Sequence, residues 1–156
     1  MPNLTLRREL YSEQDTRGLA ASLARLARPG DVIALEGDLG VGKTVFARAF
    51  ITALGGGEEV PSPTFTLVQS YDSASGLIHH FDFYRLTAPE DTFELGLEEL
   101  LPEGISVIEW PDRLGPYMPK DHLVIRMIEN STTRRLVEAV GAGDWVHRLD
   151  DLKELF

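Results

Sequence analysis

The chain has 156 residues and a formal net charge of −10, and 43% of its residues are hydrophobic and 26% charged, as in an ordinary globular domain. A chain of this length can bury a core of its own, so we expect one domain over residues 1–156. Without an apolar run near the ~20 residues of a membrane span, a signal-peptide pattern or any cysteine, the chain is expected in the cytoplasm. The acidic balance and the scattered basic residues argue against direct binding of DNA or RNA.

The first predicted elements lead into a buried strand. Residues 4–6 alternate briefly and predict an edge strand, and residues 12–15 are a capping-box variant that opens a helix. The helix places Leu19, Leu23 and Leu26 on one face and ends at Pro29 and Gly30. Residues 31–35 then form a short apolar run, which is typical of a buried strand.

A glycine-rich loop follows this strand and fits the phosphate-binding pattern G-x-x-x-x-G-K-[ST] at every fixed position. The residues expected to contact a nucleotide are Gly37, Asp38, Leu39, Gly40, Val41, Gly42, Lys43 and Thr44. The glycines bring backbone N–H groups against phosphate oxygens, Lys43 adds a positive charge for the β- and γ-phosphates, and the Thr44 hydroxyl can ligate Mg²⁺. Helical spacing of apolar side chains continues up to the glycines at 55–57, so a helix N-terminus faces the loop. We therefore expect a bound nucleoside triphosphate.

Strand patterns recur in the remaining chain. Residues 64–71 and 77–84 are rich in β-branched and aromatic side chains around a turn, which predicts a hairpin. Residues 122–128 and 135–140 predict a second hairpin. Residues 105–110 form another short strand of the buried type, with an acid near its C-terminal end.

The helical patterns complete the predicted fold. Residues 90–101 carry Phe93, Leu97 and Leu100 at helical spacing, and residues 111–119 are expected to be a loop. A closing amphipathic helix is marked by Trp145, Leu149, Leu152 and Phe156. The whole predicts an α/β, P-loop NTPase-like, three-layer fold with a mixed, mainly parallel central sheet and two β-hairpins.

Two carboxylates at predicted strand ends could complete the magnesium shell that a phosphate loop needs. Glu109 is the better candidate because mostly apolar residues lead directly into it, and Asp82 is the second. A surface carboxylate that caps a loop is the alternative for either of them. His79 and His80 alternate faces along a strand and cannot both ligate one metal, so we expect a structural role for each.

A segment of hydroxyl side chains between prolines suits a switch loop that orders around the γ-phosphate. Its residues are Ser62, Pro63, Thr64, Phe65 and Thr66. A connection that is terminated by proline, without any switch, is the alternative interpretation.

Hydrogen exchange distinguishes these two interpretations of residues 62–66. The glycines at 55–57 offer a hinge, and prolines limit the competing conformations. We expect amide exchange at residues 64–66 to slow when a non-hydrolysable ATP analogue is added. Equal exchange with and without the analogue would contradict a switch.

Taken in order, these motifs resemble the TsaE (YjeE) family, the small ATPases of bacterial tRNA threonylcarbamoyladenosine synthesis. The matching segments are residues 37–40 and 42–44, 62–68, 80–86, 95–96 and 98–99, and 108–110. The phosphate loop alone would indicate only a superfamily, whereas Ser-Pro-Thr, His-Phe-Asp-Phe-Tyr-Arg and Glu-Trp at these intervals are far more specific. Val41 and Val45 stand where the family more often has Ala and Thr.

The resemblance implies an ATPase, slow by itself, that uses ATP and Mg²⁺ and is required for threonylcarbamoylation of adenosine 37 in tRNA. It implies that Thr44 and Glu109 hold Mg²⁺, that Lys43 holds phosphate and that Asp82 assists hydrolysis. Residues 62–66 would be the switch-like segment, and Trp110 an aromatic side chain at the site edge, available for partner contact. The implied partners are the TsaD and TsaB proteins, with tRNA engaged only indirectly and no membrane or DNA involved.

Three other functions fit a phosphate loop. A small-molecule kinase usually needs an arginine-bearing lid, for which residues 111–119 offer only Arg113. A GTPase would need an Asn-Lys-x-Asp motif, and the chain has none. A module that senses ATP without hydrolysing it is disfavoured by Asp82 and Glu109 but stays open.

Overall fold

The computed structural model describes residues 5–56, 67–74 and 76–156, and within them seven strands form one sheet. The strands are β1 (Thr5–Leu10), β2 (Val32–Glu36), β3 (Val68–Ser73), β4 (Gly76–Asp82), β5 (Gly104–Glu109), β6 (His122–Glu129) and β7 (Arg135–Ala142). Their order is β1-β7-β6-β2-β5-β4-β3. The proposed switch segment, residues 62–66, lies outside the described residues.

The predicted mixed sheet is confirmed, and its parallel part lies in the middle. Strands β6, β2, β5 and β4 run parallel to one another, with β2 and β5 buried at the centre. Both predicted hairpins, β3–β4 and β6–β7, form antiparallel pairs. Strand β1 pairs antiparallel with β7 and lies at one edge, as its short alternating pattern indicates.

Helices cover both faces of this sheet. The α-helices are α1 (Glu13–Ala24), α2 (Lys43–Ala53), α3 (Leu97–Leu100) and α4 (Trp145–Arg148). Side chains of α1 and α2 pack with Ile33 and Leu35 of β2 in the larger core cluster. Val32, which points to the other face, belongs to a second cluster with Phe81 and Ile108. Successive side chains of β2 therefore point to opposite faces of the sheet and pack against the helical layers on both sides.

Helix α1 begins where the sequence predicts. The Ser12 hydroxyl accepts a hydrogen bond from Asp15 N at 3.1 Å, and the Asp15 carboxylate accepts one from Tyr11 N at 2.9 Å. These two bonds satisfy N–H groups that have no partner inside the helix. The described residues contain no helix long and apolar enough to cross a membrane.

The predicted helix over residues 90–101 is wrong. The chain forms a 3₁₀ helix, Pro89–Leu95, then turns at Gly96 with φ +67° and continues as the single turn of α3. Phe93, which the spacing placed on one helical face with Leu97 and Leu100, is 60% exposed and meets the Tyr117 ring edge-on at 4.9 Å. A glycine with left-handed backbone angles ends a helix whatever the spacing of the apolar residues around it. The apolar periodicity of residues 90–101 therefore predicted a continuous helix that does not form.

Two further boundaries differ from the prediction. Residues expected to be a loop form the 3₁₀ helix Pro111–Tyr117, with a kink at Gly115. The closing helix is α4 followed by the 3₁₀ helix Leu149–Leu155. Its predicted apolar face is nevertheless correct, because Trp145, Leu149 and Leu152 are buried.

Candidate nucleotide-binding site

The glycine-rich loop runs from the end of β2 to the start of α2, as the motif requires. Gly37 has φ +149°, and a Cβ there would lie 2.7 Å from Met127 O and 2.8 Å from Val41 Cγ1. Gly42, with φ +117°, is the N-cap residue of α2, and no side chain caps this helix end. The first N–H groups of α2 can therefore serve an anion, to which the positive end of the helix dipole adds attraction.

Lys43 begins α2 with its ammonium group turned into the loop. Its Nζ donates to Gly37 O at 2.5 Å and lies 3.4 Å from the centroid of the Trp110 ring. The residue is only 4% exposed, and this burial lowers the pKa of Lys43, while the charges of Glu109 and Asp82 act in the opposite direction. Phosphate oxygens entering the loop would supply a better partner than either present contact.

The sheet brings the two predicted carboxylates to one edge. Strands β4 and β5 are parallel neighbours, and Asp82 and Glu109 are paired at their C-terminal ends. The Thr44 hydroxyl donates to Glu109 Oε1 at 3.0 Å, while Asp82 Oδ1 accepts from Tyr84 N at 3.0 Å. Both carboxylates are buried and line one cavity of about 420 Å³ with Lys43 and Thr44.

Thr44 and Glu109 fit a magnesium ion. Hydroxyl and carboxylate oxygens are the hard donors that Mg²⁺ prefers, and it commonly takes one or two from protein, with phosphate and water supplying the rest. No cluster of three or more metal-ligating side chains occurs in the described part of the chain. The pair therefore suits a cation that is completed by a bound nucleotide, rather than one held by protein alone.

Trp110 lies beside Lys43 and lines the same cavity as the two carboxylates. It directly follows β5 and has a left-handed backbone, with φ +59°. Its ring faces Tyr84 at 5.0 Å between centroids, and the Arg113 guanidinium lies 6.0 Å from the Tyr84 ring centroid. These side chains form a partly exposed aromatic rim beside Lys43.

Sequence reasoning missed two residues that support the site. His80 Nε2 lies 2.7 Å from Glu109 Oε2, and Arg135 Nε donates to Val41 O in the loop at 2.9 Å. Side chains alternate between the two faces of a strand, so His80 lies on the same face of β4 as Asp82. The sequence pattern could therefore have indicated that His80 lies near the strand-end carboxylates. Arg135 had none, since it reaches the loop from β7.

Another cavity adjoins the phosphate loop and the start of α2, and it had no sequence signal either. It measures about 450 Å³. It is lined by Tyr11, Ser12, Glu13, Thr16, Gly40, Val41, Gly42, Val45, Thr132, Thr133 and Arg135. Because it adjoins the loop and the start of α2, a nucleotide whose phosphates occupy the loop could extend into it.

Comparison with known proteins agrees with these features. A family model described as "Threonylcarbamoyl adenosine biosynthesis protein TsaE" matches residues 10–137. A tRNA threonylcarbamoyladenosine biosynthesis protein TsaE from Bacillus subtilis is 37% identical over 113 residues, which are 72% of this chain and 70% of that protein. The corresponding protein of Treponema pallidum is 38% identical over 117 residues, 74% and 86% of the two chains.

Some other relatives are matched over a smaller share of their length, whereas one solved structure aligns with nearly the whole of this chain. The Rickettsia conorii TsaE is 44% identical over 104 residues, but these are only 59% of its own length. The crystal structure of Bacillus subtilis YdiB superimposes with a TM-score of 0.79 at 29% identity, covering 97% of this chain and 94% of that one. The family model, the relatives and the shared fold lead to one conclusion: this chain belongs to the TsaE family.

Proposed function

We propose that this protein binds and hydrolyses ATP with Mg²⁺ and serves threonylcarbamoylation of adenosine 37 in tRNA, acting through TsaB and TsaD. The observation that carries the ATPase part is the contact between Thr44 of the phosphate loop and Glu109 at a strand end. It joins a magnesium-ligating hydroxyl to a carboxylate at the place where P-loop NTPases use one. The names of the related proteins support the tRNA part.

The loop and α2 would bind the phosphates. Backbone N–H groups of residues 37–44, including those at the N-terminus of α2, would donate hydrogen bonds to the phosphate oxygens. The Lys43 ammonium would exchange its contact with Gly37 O for contacts with the β- and γ-phosphates. The base then extends past Val45 toward the cavity beside Tyr11. The negative charge of the nucleotide also offsets the unfavourable burial of the Lys43 ammonium.

The strand-end carboxylates would divide the remaining work. Glu109 and Thr44 would hold Mg²⁺, and a metal there would supply positive charge to the phosphate oxygens during transfer. Asp82 is 8% exposed and lines the same cavity, so it can orient the attacking water toward the γ-phosphate.

Several charges in the structure disfavour direct binding of tRNA. Arg7 pairs with Glu138, Arg126 with Glu36 and Arg148 with Asp31, so these guanidinium groups already have carboxylate partners. With a net charge of −10, weak RNA affinity is expected at physiological salt, because such affinity depends on neutralising several phosphates. A nucleotide-dependent surface that binds partner proteins differently in two states is the better supported mode of action.

Separate titrations test this mode of action. Purified tRNA and the purified TsaB–TsaD pair are each added to this protein in the presence of ATP, ADP or no nucleotide. We expect binding to the pair that depends on the nucleotide, and little binding of free tRNA. Tight binding of free tRNA, or no binding to the pair in any nucleotide state, would overturn the partner proposal.

The small-molecule kinase remains the alternative function. Phosphate release is measured with and without candidate acceptor molecules, and the TsaB–TsaD pair is tested in parallel. An ATPase releases inorganic phosphate without an acceptor and responds to the pair. A kinase transfers the phosphate and releases little of it when the acceptor is omitted.

A further inference from the structure

We propose that His80 is a positioning residue that holds Glu109 in the orientation needed for magnesium binding. This inference rests on the proposed function and deepens it, since it assigns a role to a side chain that contacts neither nucleotide nor metal. The sequence pattern indicated only a structural histidine at this position.

The Glu109 carboxylate is held at both oxygens. Oε1 accepts from the Thr44 hydroxyl at 3.0 Å, and Oε2 lies 2.7 Å from His80 Nε2. A carboxylate can only accept, so Nε2 carries the hydrogen in this pair. Because His80 binds Oε2, Oε1 is the oxygen that faces the Thr44 hydroxyl. Oε1 and the Thr44 hydroxyl are therefore the two oxygens that would ligate Mg²⁺.

Burial makes this contact specific. The His80 side chain is fully buried and Glu109 is 2% exposed, so water cannot easily replace either partner. His80 Nδ1 is buried and has no hydrogen-bond partner within the described residues. His79 Nε2, on the other face of β4, is also buried without a hydrogen-bond partner within the described residues, so the feature that distinguishes His80 is its contact with Glu109.

The strand geometry explains how the histidine reaches behind the ligand. His80 and Asp82 share one face of β4, and Asp82 is paired with Glu109 at the end of β5. His80 therefore lies one step deeper in the sheet than the two carboxylates, on the side away from the phosphate loop. Partners of metal ligands in such positions fix ligand orientation, and losing one typically weakens metal binding by about 10–100-fold.

The chain supplies a matched control in His79. It is also a buried histidine of β4, but it points to the opposite face, where its Nδ1 lies 2.8 Å from the Ser70 hydroxyl. His79→Leu removes a buried imidazole and a hydrogen bond without touching Glu109. A loss of stability that is common to both positions can therefore be separated from an effect on the metal.

The experiment measures ADP affinity by calorimetry, once with Mg²⁺ and once with EDTA, in the full chain. His80→Leu should weaken binding by roughly 10–100-fold with Mg²⁺ and leave the EDTA value near that of the wild type. His79→Leu should leave both values unchanged. Thermal unfolding of each variant shows whether it is folded during the measurement.

A second pair of variants covers the case in which His80→Leu does not fold. The amide nitrogen of Gln can reach the position of Nε2 and donate to Glu109, whereas Asn is one methylene shorter. His80→Gln should therefore retain most of the Mg²⁺-dependent affinity, and His80→Asn should lose it. If His80→Gln and His80→Asn bind ADP equally well, and Mg²⁺ raises the affinity of both as much as in the wild type, the positioning role would be overturned.

Other outcomes are equally decisive. Equal losses in Mg²⁺ and EDTA, or the same loss from His79→Leu, would show a general structural effect and overturn the proposal. A wild-type protein whose ADP affinity gains nothing from Mg²⁺ would contradict the proposed ATPase site itself. A normal wild-type gain that His80→Leu retains would contradict the positioning role alone.

Discussion

Replacing Lys43 with Ala should abolish tight nucleotide binding while the protein stays folded. Hydrogen bonds from a charged group to phosphate contribute about 1.5–3 kcal/mol each. If Lys43 serves both the β- and γ-phosphates, ATP affinity should fall by roughly 100-fold or more.

The fold should tolerate the change because the buried ammonium is itself unfavourable. Burial lowers the pKa of Lys43, so the native protein binds this proton less tightly than the unfolded chain does. The charged lysine therefore destabilises the native state at neutral pH, and this penalty disappears only as the pH rises above the ordinary pKa of lysine. Lys43→Ala removes the penalty, which offsets the loss of its contacts to Gly37 and Trp110.

Calorimetry with ATP and a thermal unfolding curve check both halves of this expectation. Lys120→Ala is the control, since Lys120 is exposed and lies outside the loop. Near-unchanged ATP affinity in a folded Lys43→Ala protein would refute the phosphate-loop assignment. A large loss from Lys120→Ala as well would show that general charge, rather than the loop, governs binding.

Glu109→Ala and Asp82→Ala should impair the protein in different ways. Glu109 contacts Thr44, so its loss should chiefly reduce nucleotide affinity in Mg²⁺, by roughly tenfold or more, and leave affinity in EDTA little changed. Asp82 has a backbone partner at Tyr84 and lines the cavity beside the loop. Its loss should spare binding and lower turnover by about 10²–10⁴-fold, as for a group that positions water.

The two variants are compared by calorimetry and by single-turnover phosphate release. The ratio of Mg²⁺ to EDTA affinity isolates the metal effect, and single-turnover conditions separate hydrolysis from product release. If both variants show the same loss of affinity and the same residual turnover, this division of roles is wrong. Asp31→Ala is a suitable control, because Asp31 is buried and paired with Arg148 at the other end of β2.

Much of the framework follows from local sequence. The phosphate loop depends on glycines whose special backbone angles are needed within a few residues of each other. Period-two patterns and turn residues predicted both hairpins, and Ser12 marked the start of α1. These features are encoded locally because backbone sterics and short-range hydrogen bonds decide them.

Local patterns failed where a single backbone turn outweighed periodicity. The spacing of Phe93, Leu97 and Leu100 predicted one helix, but Gly96 divides that segment and leaves Phe93 on the surface. Apolar spacing reports which residues could share a helical face. It does not show whether the backbone between them remains helical.

The composition of the site was decided by tertiary structure. The sequence by itself marked Glu109 and Asp82 as strand-end acids, but only the parallel pairing of β4 with β5 places them side by side. The contact of Thr44 with Glu109 spans 65 positions, and that of Arg135 with Val41 spans 94. His80 gained its role in the same way, because strand order alone determines which buried carboxylate a histidine meets. Residues so far apart in the chain meet only when the sheet brings them together, and no local pattern records that order.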